Sequence, residues 1–200
     1  EYAADGQSLR KDAAAAFLVL AKAAMRNETP FFASTTYRSY EDQTALYKKY
    51  VLQVGSSKAD LYCERAGFSE HQTGLAVNVS ATYEDNDDIT NTKVYAWLQE
   101  NCVKYGFILR YPSAKVDITD KTDEPTHLLY LGKDLAQKVT DSKLTYDEYY
   151  LLYLADWYDA KEVPSKDILE STGCVDTLQS DAEADAASPS PSASASASAQ

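Results

Sequence analysis

Residues 69–78 read SEHQTGLAVN and place a histidine between a polar loop and an apolar strand. The pair Thr73-Gly74 predicts a turn, and residues 75–79 predict a short, mostly apolar strand. His71 is one of only two histidines among the 200 residues. A lone histidine is more often structural than a ligand, but the dense polar neighbourhood of His71 favours a functional role.

The second histidine has a similar setting. Residues 124–127 read EPTH, so Glu124 precedes His127 by three positions at the start of a strand predicted over residues 126–131. In an extended geometry this spacing lets the imidazole bind a metal ion while the carboxylate lies beside a metal-bound water. The two polar segments together therefore predict a metal-dependent site.

The chain before these motifs predicts two helices and a strand. Apolar residues recur at helical spacing through an alanine-rich stretch that ends near residue 27, namely Leu9, Ala13, Phe17, Leu20, Ala21 and Ala24. An apolar run follows at residues 31–35, and the pattern at 39–42 resembles a capping box that opens a helix through about residue 53. Arg38 is therefore expected at a strand-to-helix junction.

The rest of the chain, between the two histidine motifs and after the second, predicts more strands and two helices. A helix over residues 92–104 ends at Gly106, a residue suited to the left-handed cap of a helix C-terminus. A further capping box at residues 145–148 opens a helix rich in tyrosine and leucine that runs toward residue 159. In addition to the strand at residues 126–131, strands are predicted at residues 107–110 and 116–119.

These elements predict an α+β fold with a small antiparallel sheet flanked by helices. We expect a single domain at residues 8–160 and an extension of uncertain structure at 161–180. Residues 181–200 contain Asp, Glu, Ala, Ser and Pro with a final Gln, a composition that predicts a disordered tail. The tail resembles a flexible spacer that tethers surface proteins, and an ordinary disordered tail accounts for it equally well.

Charge narrows the classes of partner. The chain has 31 acidic and 19 basic residues, a formal net charge of −12. Such a surface repels polyphosphates and anionic lipid headgroups, and no apolar run approaches the roughly 18 residues of a membrane-spanning helix. We therefore predict no nucleic-acid partner and no membrane insertion within this chain. Because the sequence begins at Glu1 without a leader, we expect any signal or anchor to lie outside it.

The three cysteines, Cys63, Cys102 and Cys174, lie far apart and have no metal-knuckle or redox spacing. At most one disulfide can form, and three pairings are open. The alternative is that all three are small buried hydrophobic residues.

Several separated motifs resemble one known family, the zinc D-alanyl-D-alanine carboxypeptidases of the VanY type and their dipeptidase relatives. Residues 69–78 match the family pattern Ser-x-His-x-x-Gly-x-Ala-x-Asp at every fixed position except the last. Residues 35–47 resemble its arginine segment, and residues 97–119 with 124–132 resemble its C-terminal half. The resemblance spans roughly residues 13–151, and motifs in the family's order are a stronger signal than any one of them.

The resemblance implies a zinc peptidase site. His71, Asn78 and His127 would hold Zn²⁺, and Glu124 would act as the general base. Arg38 would bind the developing oxyanion or the substrate carboxylate, a task suited to a guanidinium fork.

The resemblance also implies a substrate, a peptidoglycan stem peptide ending in D-Ala. Ser69 and Gln43 are candidate contacts to its C-terminal carboxylate, and the alternative for Gln43 is an exposed helix residue. The implied location is extracellular or at the cell surface of the bacterial envelope.

The match fails at a ligand, because Asn78 stands where the family has aspartate. An amide oxygen is neutral and a weaker donor, so we expect lower metal affinity. Zinc could still bind through two imidazoles and an amide, or recruit a carboxylate such as Glu70 or Asp123. Other departures lie near the site: Thr126 replaces a tryptophan, a leucine at 128 or 129 replaces an arginine, and Asp120 replaces a glycine.

Three hypotheses remain open. The first is an active metallopeptidase that removes terminal D-alanine. The second is a non-catalytic module that keeps the pocket to bind cell-wall peptide or serves as a surface domain, which accounts for Asn78 and Thr126. The third is an interaction domain with a vestigial pocket, in which the tyrosine-rich stretch at residues 146–158 makes the contacts.

Overall fold

The sheet at the centre of the fold has the strand order β1-β2-β4-β3. The structure is a computed structural model and describes residues 7–81, 89–121 and 124–155. Its strands are antiparallel throughout: β1 (Phe32–Thr35), β2 (Ala76–Ser80), β3 (Phe107–Tyr111) and β4 (Glu124–Tyr130). The predicted α+β class with a small antiparallel sheet is confirmed, and β2, β3 and β4 lie within two residues of their predicted bounds.

Side-chain alternation gives the two faces of the sheet different surroundings. Val77 and Leu128 are partners across β2 and β4 and belong to the main core. The next pair along the same two strands is Asn78 with His127, which therefore points to the opposite face. The strand register thus sets two of the predicted site residues side by side.

Helix α1 (Lys11–Arg26) covers the main core face. Its buried side chains are five of the six predicted from helical spacing, Ala13, Phe17, Leu20, Ala21 and Ala24. The Phe17 ring packs edge-on against Phe31 and Phe107, with ring centroids 5.9 and 6.3 Å apart. The helix ends at Arg26 with Asn27 as its C-cap, which agrees with the predicted end near residue 27.

Helix α2 (Tyr40–Val54) begins where the sequence predicts, because the Ser39 hydroxyl accepts a hydrogen bond from the Asp42 amide at 3.0 Å. The helix ends at Val54, and its C-cap Gly55 has a φ of 84°, which lies outside the helical region. Helix α3 (Ser56–Tyr62) follows and was not predicted, since only Ala59 of its seven residues is buried and it carries no apolar stripe.

Helix α4 (Lys93–Asn101) packs Val94 and Leu98 into the main core and continues as a 3₁₀ turn, Cys102–Tyr105. Gly106 caps this turn with φ of 87°, which confirms the predicted left-handed position. A Cβ atom there would lie 2.9 Å from the Tyr130 ring and 3.0 Å from the carbonyl carbon of Gly132. Glycine is therefore required both by the backbone angle and by the space.

The predicted strand at residues 116–119 is wrong. This segment is a single helical turn, α5 (Val116–Thr119), after a 3₁₀ turn at Ser113–Lys115. The Asp120 amide donates to the Val116 carbonyl at 2.9 Å, and the Thr119 hydroxyl donates to the Lys115 carbonyl at 3.2 Å. In the described sheet, β3 pairs only with β4. Local hydrogen bonds thus satisfy backbone groups that no neighbouring strand reaches, overriding the β-propensity of valine, isoleucine and threonine.

Helix α6 (Lys133–Ser142) covers part of the second face, where Ala136 and Val139 pack on Ala76, Ile108 and Leu129. Helix α7 (Tyr146–Tyr149) begins with the predicted capping box: the Glu148 amide donates to the Thr145 hydroxyl, and the Glu148 carboxylate accepts from the Thr145 amide. The chain then forms a π-helical turn, Tyr150–Leu154.

The described residues up to Leu154 belong to one compact unit. The end of the predicted domain, the extension at 161–180, the tail at 181–200 and Cys174 lie outside the described residues and stay predictions. Cys63 and Cys102 are both buried free thiols, so they do not pair with each other. Among the described helices, none is long and apolar enough to cross a membrane.

We predict that Gly106→Ala lowers the free energy of unfolding by at least about 1 kcal/mol, because a methyl group there meets both strain and a clash. Urea unfolding followed by circular dichroism measures this. Gly55→Ala is the matched control, since Gly55 also has a positive φ but has no atom within 4 Å of its added Cβ. Equal losses in the two variants would contradict the role assigned to the Tyr130 and Gly132 contacts.

Candidate active site

The three side chains predicted as metal ligands come together on the second face of the sheet. His71 lies in a 3₁₀ turn, Glu70–Thr73, that leads into β2, Asn78 lies within β2, and His127 lies opposite it on β4. The two imidazole rings are edge to face with centroids 5.1 Å apart. This spacing is compatible with two ligands of one ion, whose nitrogens lie roughly 3 to 4 Å apart for bonds near 2.0 Å.

His71 presents a single free nitrogen. Its Nδ1 lies 2.7 Å from the Thr36 carbonyl oxygen, which can only accept, so Nδ1 carries the proton and Nε2 keeps its lone pair. Burial lowers the pKa of His71 to about 3, and the positive charges of His127 and Arg38 act in the same direction. The ring is therefore neutral at pH 7 and ready to act as a ligand.

His127 is buried between two carboxylates. Its Nε2 is 3.2 Å from Glu70 Oε2, and its Nδ1 is 3.4 Å from Glu124 Oε2. The second contact has an ion-pair distance without hydrogen-bond alignment, and Nδ1 has no hydrogen-bond partner in the described part of the chain. Burial opposes charge on the ring, but Glu124 and Glu70 together raise the pKa of His127 to about 9. The two carboxylates therefore favour positive charge at this position.

Asn78 offers an oxygen that nothing else uses. Its Oδ1 is buried and has no hydrogen-bond partner among the described residues. A buried polar atom left without a partner is costly and indicates a missing ligand, ion or water. The amide oxygen thus joins the two imidazoles as a third donor to the same space.

Arg38 lies at the strand-to-helix junction, as predicted, and is hydrogen-bonded to Gln43. The Arg38 Nη1 donates to Gln43 Oε1 at 2.7 Å, while Gln43 Nε2 donates to the Glu64 carbonyl at 2.5 Å. Gln43 is fully buried, at 0% exposure, so the alternative of an exposed helix residue is wrong. Its amide groups engage protein partners, which makes it a support for Arg38 in this structure.

Ser69 directly precedes the turn that carries His71. It is 4% exposed, and its hydroxyl is buried with no hydrogen-bond partner in the described residues. Its predicted contact to a substrate carboxylate stays a prediction.

The predicted residues line one cavity of about 250 Å³, whose walls include Arg38, His71, Asn78, Glu124 and His127. The rest of the wall consists of Leu46, Tyr50, Tyr62, Cys63 and Glu64. A larger cavity of about 420 Å³ lies between β3 and α6, but it has no histidine and no carboxylate in its lining. The chemistry therefore belongs to the smaller cavity.

Sequence reasoning missed Arg110 and Asp147 behind His127 and named Glu70 only as an alternative metal ligand. Glu70 faces the far nitrogen of His127 and not the cavity, because its other oxygen accepts from Arg110 Nε at 2.7 Å. Arg110 also binds Asp147 of α7. An arginine inside the short apolar strand at residues 107–111 was the available signal, since a buried guanidinium needs carboxylate partners.

A metal-dependent hydrolase needs metal ligands, a general base and a group that binds the oxyanion. This one cavity offers candidates for each: two imidazoles and an amide, the Glu124 carboxylate, and the Arg38 guanidinium. Comparison with known proteins defines the family further. A model of the VanY family, D-alanyl-D-alanine carboxypeptidase, matches residues 6–133. This match covers well over half of the chain, so the chain belongs to the VanY family.

Individual relatives agree with this assignment. The Bacillus subtilis (strain 168) protein YodJ is 40% identical over 71% of this chain and 53% of its own length. A solved structure of the LdcB LD-carboxypeptidase is 40% identical, with a TM-score of 0.67 over 72% of this chain and 68% of that chain. A variant of the D,D-pentapeptidase VanY in complex with Zn(II) is 30% identical, with a TM-score of 0.65 over 76% and 88%.

The chain spans about half the length of YodJ. The activity, substrates and partners of that whole protein are therefore not transferred with the family assignment.

The residues present fit the zinc ion that the family implies. Asn78 Oδ1 and His127 Nδ1 are buried atoms without hydrogen-bond partners, and the Thr36 carbonyl leaves His71 Nε2 available. Imidazole nitrogen and amide oxygen are both acceptable zinc donors, although no anionic group is among the three. In the described ranges, no group of three His, Cys, Asp or Glu side chains could hold a metal ion. Among the described residues, the site thus fits zinc with Asn78 as the third donor, and Asp123 lies outside them.

We predict that Gln43→Leu lowers the free energy of unfolding by about 1–3 kcal/mol, because it leaves Arg38 and the Glu64 carbonyl without their buried partner. Urea unfolding measures the change. Gln53→Leu on the exposed side of the same helix is the control and should stay within about 0.5 kcal/mol of the unmodified protein. A Gln43→Leu protein as stable as the control variant would show that the buried amide is dispensable.

Proposed function

We propose that this chain is a zinc-dependent carboxypeptidase that removes terminal D-alanine from peptidoglycan stem peptides. The observation that carries the proposal is the convergence of His71, Asn78 and His127 with Glu124 and Arg38 on one cavity. Family membership supports it, since the matching family is that of D-alanyl-D-alanine carboxypeptidases.

Each polar residue has a task in this reaction. Zinc held by His71, Asn78 and His127 would supply a Lewis acid for the peptide carbonyl and for water. Glu124, at the start of β4, takes the proton from the attacking water and returns it to the leaving amine. Arg38, held in place by Gln43, binds the carboxylate of the terminal residue or the developing oxyanion.

The cavity suits a small terminal residue. Its volume of about 250 Å³ lies below the roughly 300–1,000 Å³ of sites that enclose drug-sized ligands. Leu46, Tyr50 and Tyr62 give it an apolar wall against which a methyl side chain can pack. The rest of the stem peptide would then extend out of the cavity.

The relatives leave two candidates for the peptide bond that is cut. The LdcB structure is that of an LD-carboxypeptidase and is 40% identical, and the zinc-bound VanY structure is that of a D,D-pentapeptidase and is 30% identical. Both would release D-alanine, from a tetrapeptide or from a pentapeptide stem. We infer a location in the cell envelope or outside the cell, where peptidoglycan lies.

A second candidate function follows from Asn78. With two imidazoles and an amide, all three donors are neutral, and zinc loses the attraction of a carboxylate at bond distance. A chain with weak metal affinity but an intact cavity is a cell-wall peptide-binding module without turnover. The two functions differ in whether D-alanine is released.

We predict that the purified protein with added zinc releases D-alanine from stem peptides ending in D-Ala, measured with a D-alanine assay on tetrapeptide and pentapeptide separately. Glu124→Gln should reduce the rate by about 10²–10⁴-fold, because it removes the general base. Glu100→Gln, an exposed acid on α4, should leave the rate unchanged. Peptide binding without any release would favour the binding module.

We further predict that the unmodified protein holds zinc substoichiometrically and that Asn78→Asp raises zinc affinity by at least about tenfold, because it restores an anionic ligand. Competitive chelator titration of both proteins measures this. One tightly bound zinc ion and brisk turnover in the unmodified protein would contradict the prediction that Asn78 weakens zinc binding. No gain in Asn78→Asp would indicate that the pocket has lost metal binding at more than one position.

A further inference from the structure

A continuous chain of charged contacts runs from helix α7 to the back of His127. Arg110 Nη1 and Nη2 donate to the two carboxylate oxygens of Asp147 at 2.6 and 2.8 Å. Arg110 Nε donates to Glu70 Oε1 at 2.7 Å, and Glu70 Oε2 lies 3.2 Å from His127 Nε2. Four side chains from β3, β4, α7 and the turn before β2 are thus linked.

Arg110 is fixed at the centre of this chain. It is 7% exposed, and its guanidinium lies 4.6 Å from the Tyr111 ring centroid and 5.5 Å from that of Tyr146. Removing a carboxylate partner from a buried guanidinium is strongly destabilising. The donors of the Arg110 guanidinium are divided between two carboxylates, those of Glu70 and Asp147. Each carboxylate therefore holds the arginine that orients the other.

Glu70 in turn decides which way the His127 ring faces. A carboxylate only accepts, so the nitrogen that meets it must carry a proton, and that nitrogen is Nε2. Nδ1 is then left on the cavity side. A half-turn of the ring about its Cβ–Cγ bond would put Cε1 where Nε2 now meets Glu70 and Cδ2 where Nδ1 now faces the cavity, so the hydrogen bond and the cavity-side nitrogen would both be lost.

We propose that Asp147, acting through Arg110 and Glu70, is a positioning residue for His127 and fixes the ring with Nδ1 toward the cavity. The metal-binding consequence rests on the zinc site of the proposed function, whereas the ring orientation does not. Asp147 lies beyond residue 133, where the match to the family ends. The α7 turn is thereby part of the site in this chain.

Helix α7 is itself held firmly enough to serve this purpose. Its capping box joins Thr145 and Glu148, and Lys115 Nζ lies 3.3 Å from Glu148 Oε1. Asp147 is therefore anchored by contacts other than its own pair with Arg110, and changing its carboxylate leaves those contacts in place.

The first experiment uses metal-free protein labelled with ¹⁵N-histidine, in which the chain's only two histidines give few ring signals. The unmodified protein should give a slowly exchanging Nε2–H signal from His127. Asp147→Asn should broaden it or speed its exchange, and Asp147→Glu, which keeps a carboxylate, should restore it. The Nδ1–H of His71 is an internal reference, since it binds Thr36 and not Glu70.

The second experiment measures zinc affinity by chelator competition on the same proteins. Asp147→Asn should weaken zinc binding by about tenfold, the lower end of the effect of removing support behind a ligand. Asp12→Asn is the matched control, because Asp12 also binds an arginine, Arg10, through both carboxylate oxygens but at an exposed pair. It should leave both readouts unchanged.

The outcomes separate this inference from the proposed function. If Asp147→Asn behaves as Asp12→Asn in both readouts, or if the unmodified protein has no protected His127 Nε2–H, the positioning role is overturned. If no protein binds zinc but the ring signal depends on Asp147, the positioning role stands and the zinc function fails. Circular dichroism checks folding, and Glu70→Gln, which keeps the acceptor oxygen but not the charge, carries the ring test if Asp147→Asn does not fold.

Discussion

The pairing of Asn78 with His127 across β2 and β4 is the constraint on which the rest of the site depends. The neighbouring pair, Val77 with Leu128, is buried in the main core, and this burial fixes the register. A slip of one residue would exchange the faces of a whole strand and carry the ligand into the core. The hydrophobic effect on one face thus determines the chemistry on the other.

Around this pair, the charges are arranged in layers. None of the three candidate donors nearest the cavity centre is an anion, and the carboxylates of Glu70 and Glu124 flank the His127 ring on its two nitrogens. Arg110 and Arg38 lie behind and beside them. The negative charge around this cavity thus lies beside the His127 imidazole, which it polarises.

Local patterns in the sequence located most of the fold and the segments that carry the candidate donors. Helical spacing located α1, capping residues located the starts of α2 and α7, and the motif at residues 69–78 located the turn and strand that carry two donors. It failed at residues 116–119, where β-branched residues lacked a partner strand, and at α3, whose residues carry no stripe. Gln43 and Asp147 were beyond its reach, because their roles come from contacts with distant parts of the chain, Glu64 in one case and Arg110 in the other.

The position of Asp147 also gives the site an order of assembly. Chains are synthesised from the N-terminus, so His71, Asn78 and His127 all leave the ribosome before the turn that holds the last of them in place. Until α7 docks, the Arg110 guanidinium lacks one of its two carboxylates and Glu70 is less firmly held. The candidate ligands are thus synthesised before the α7 carboxylate on which the position of His127 is proposed to depend.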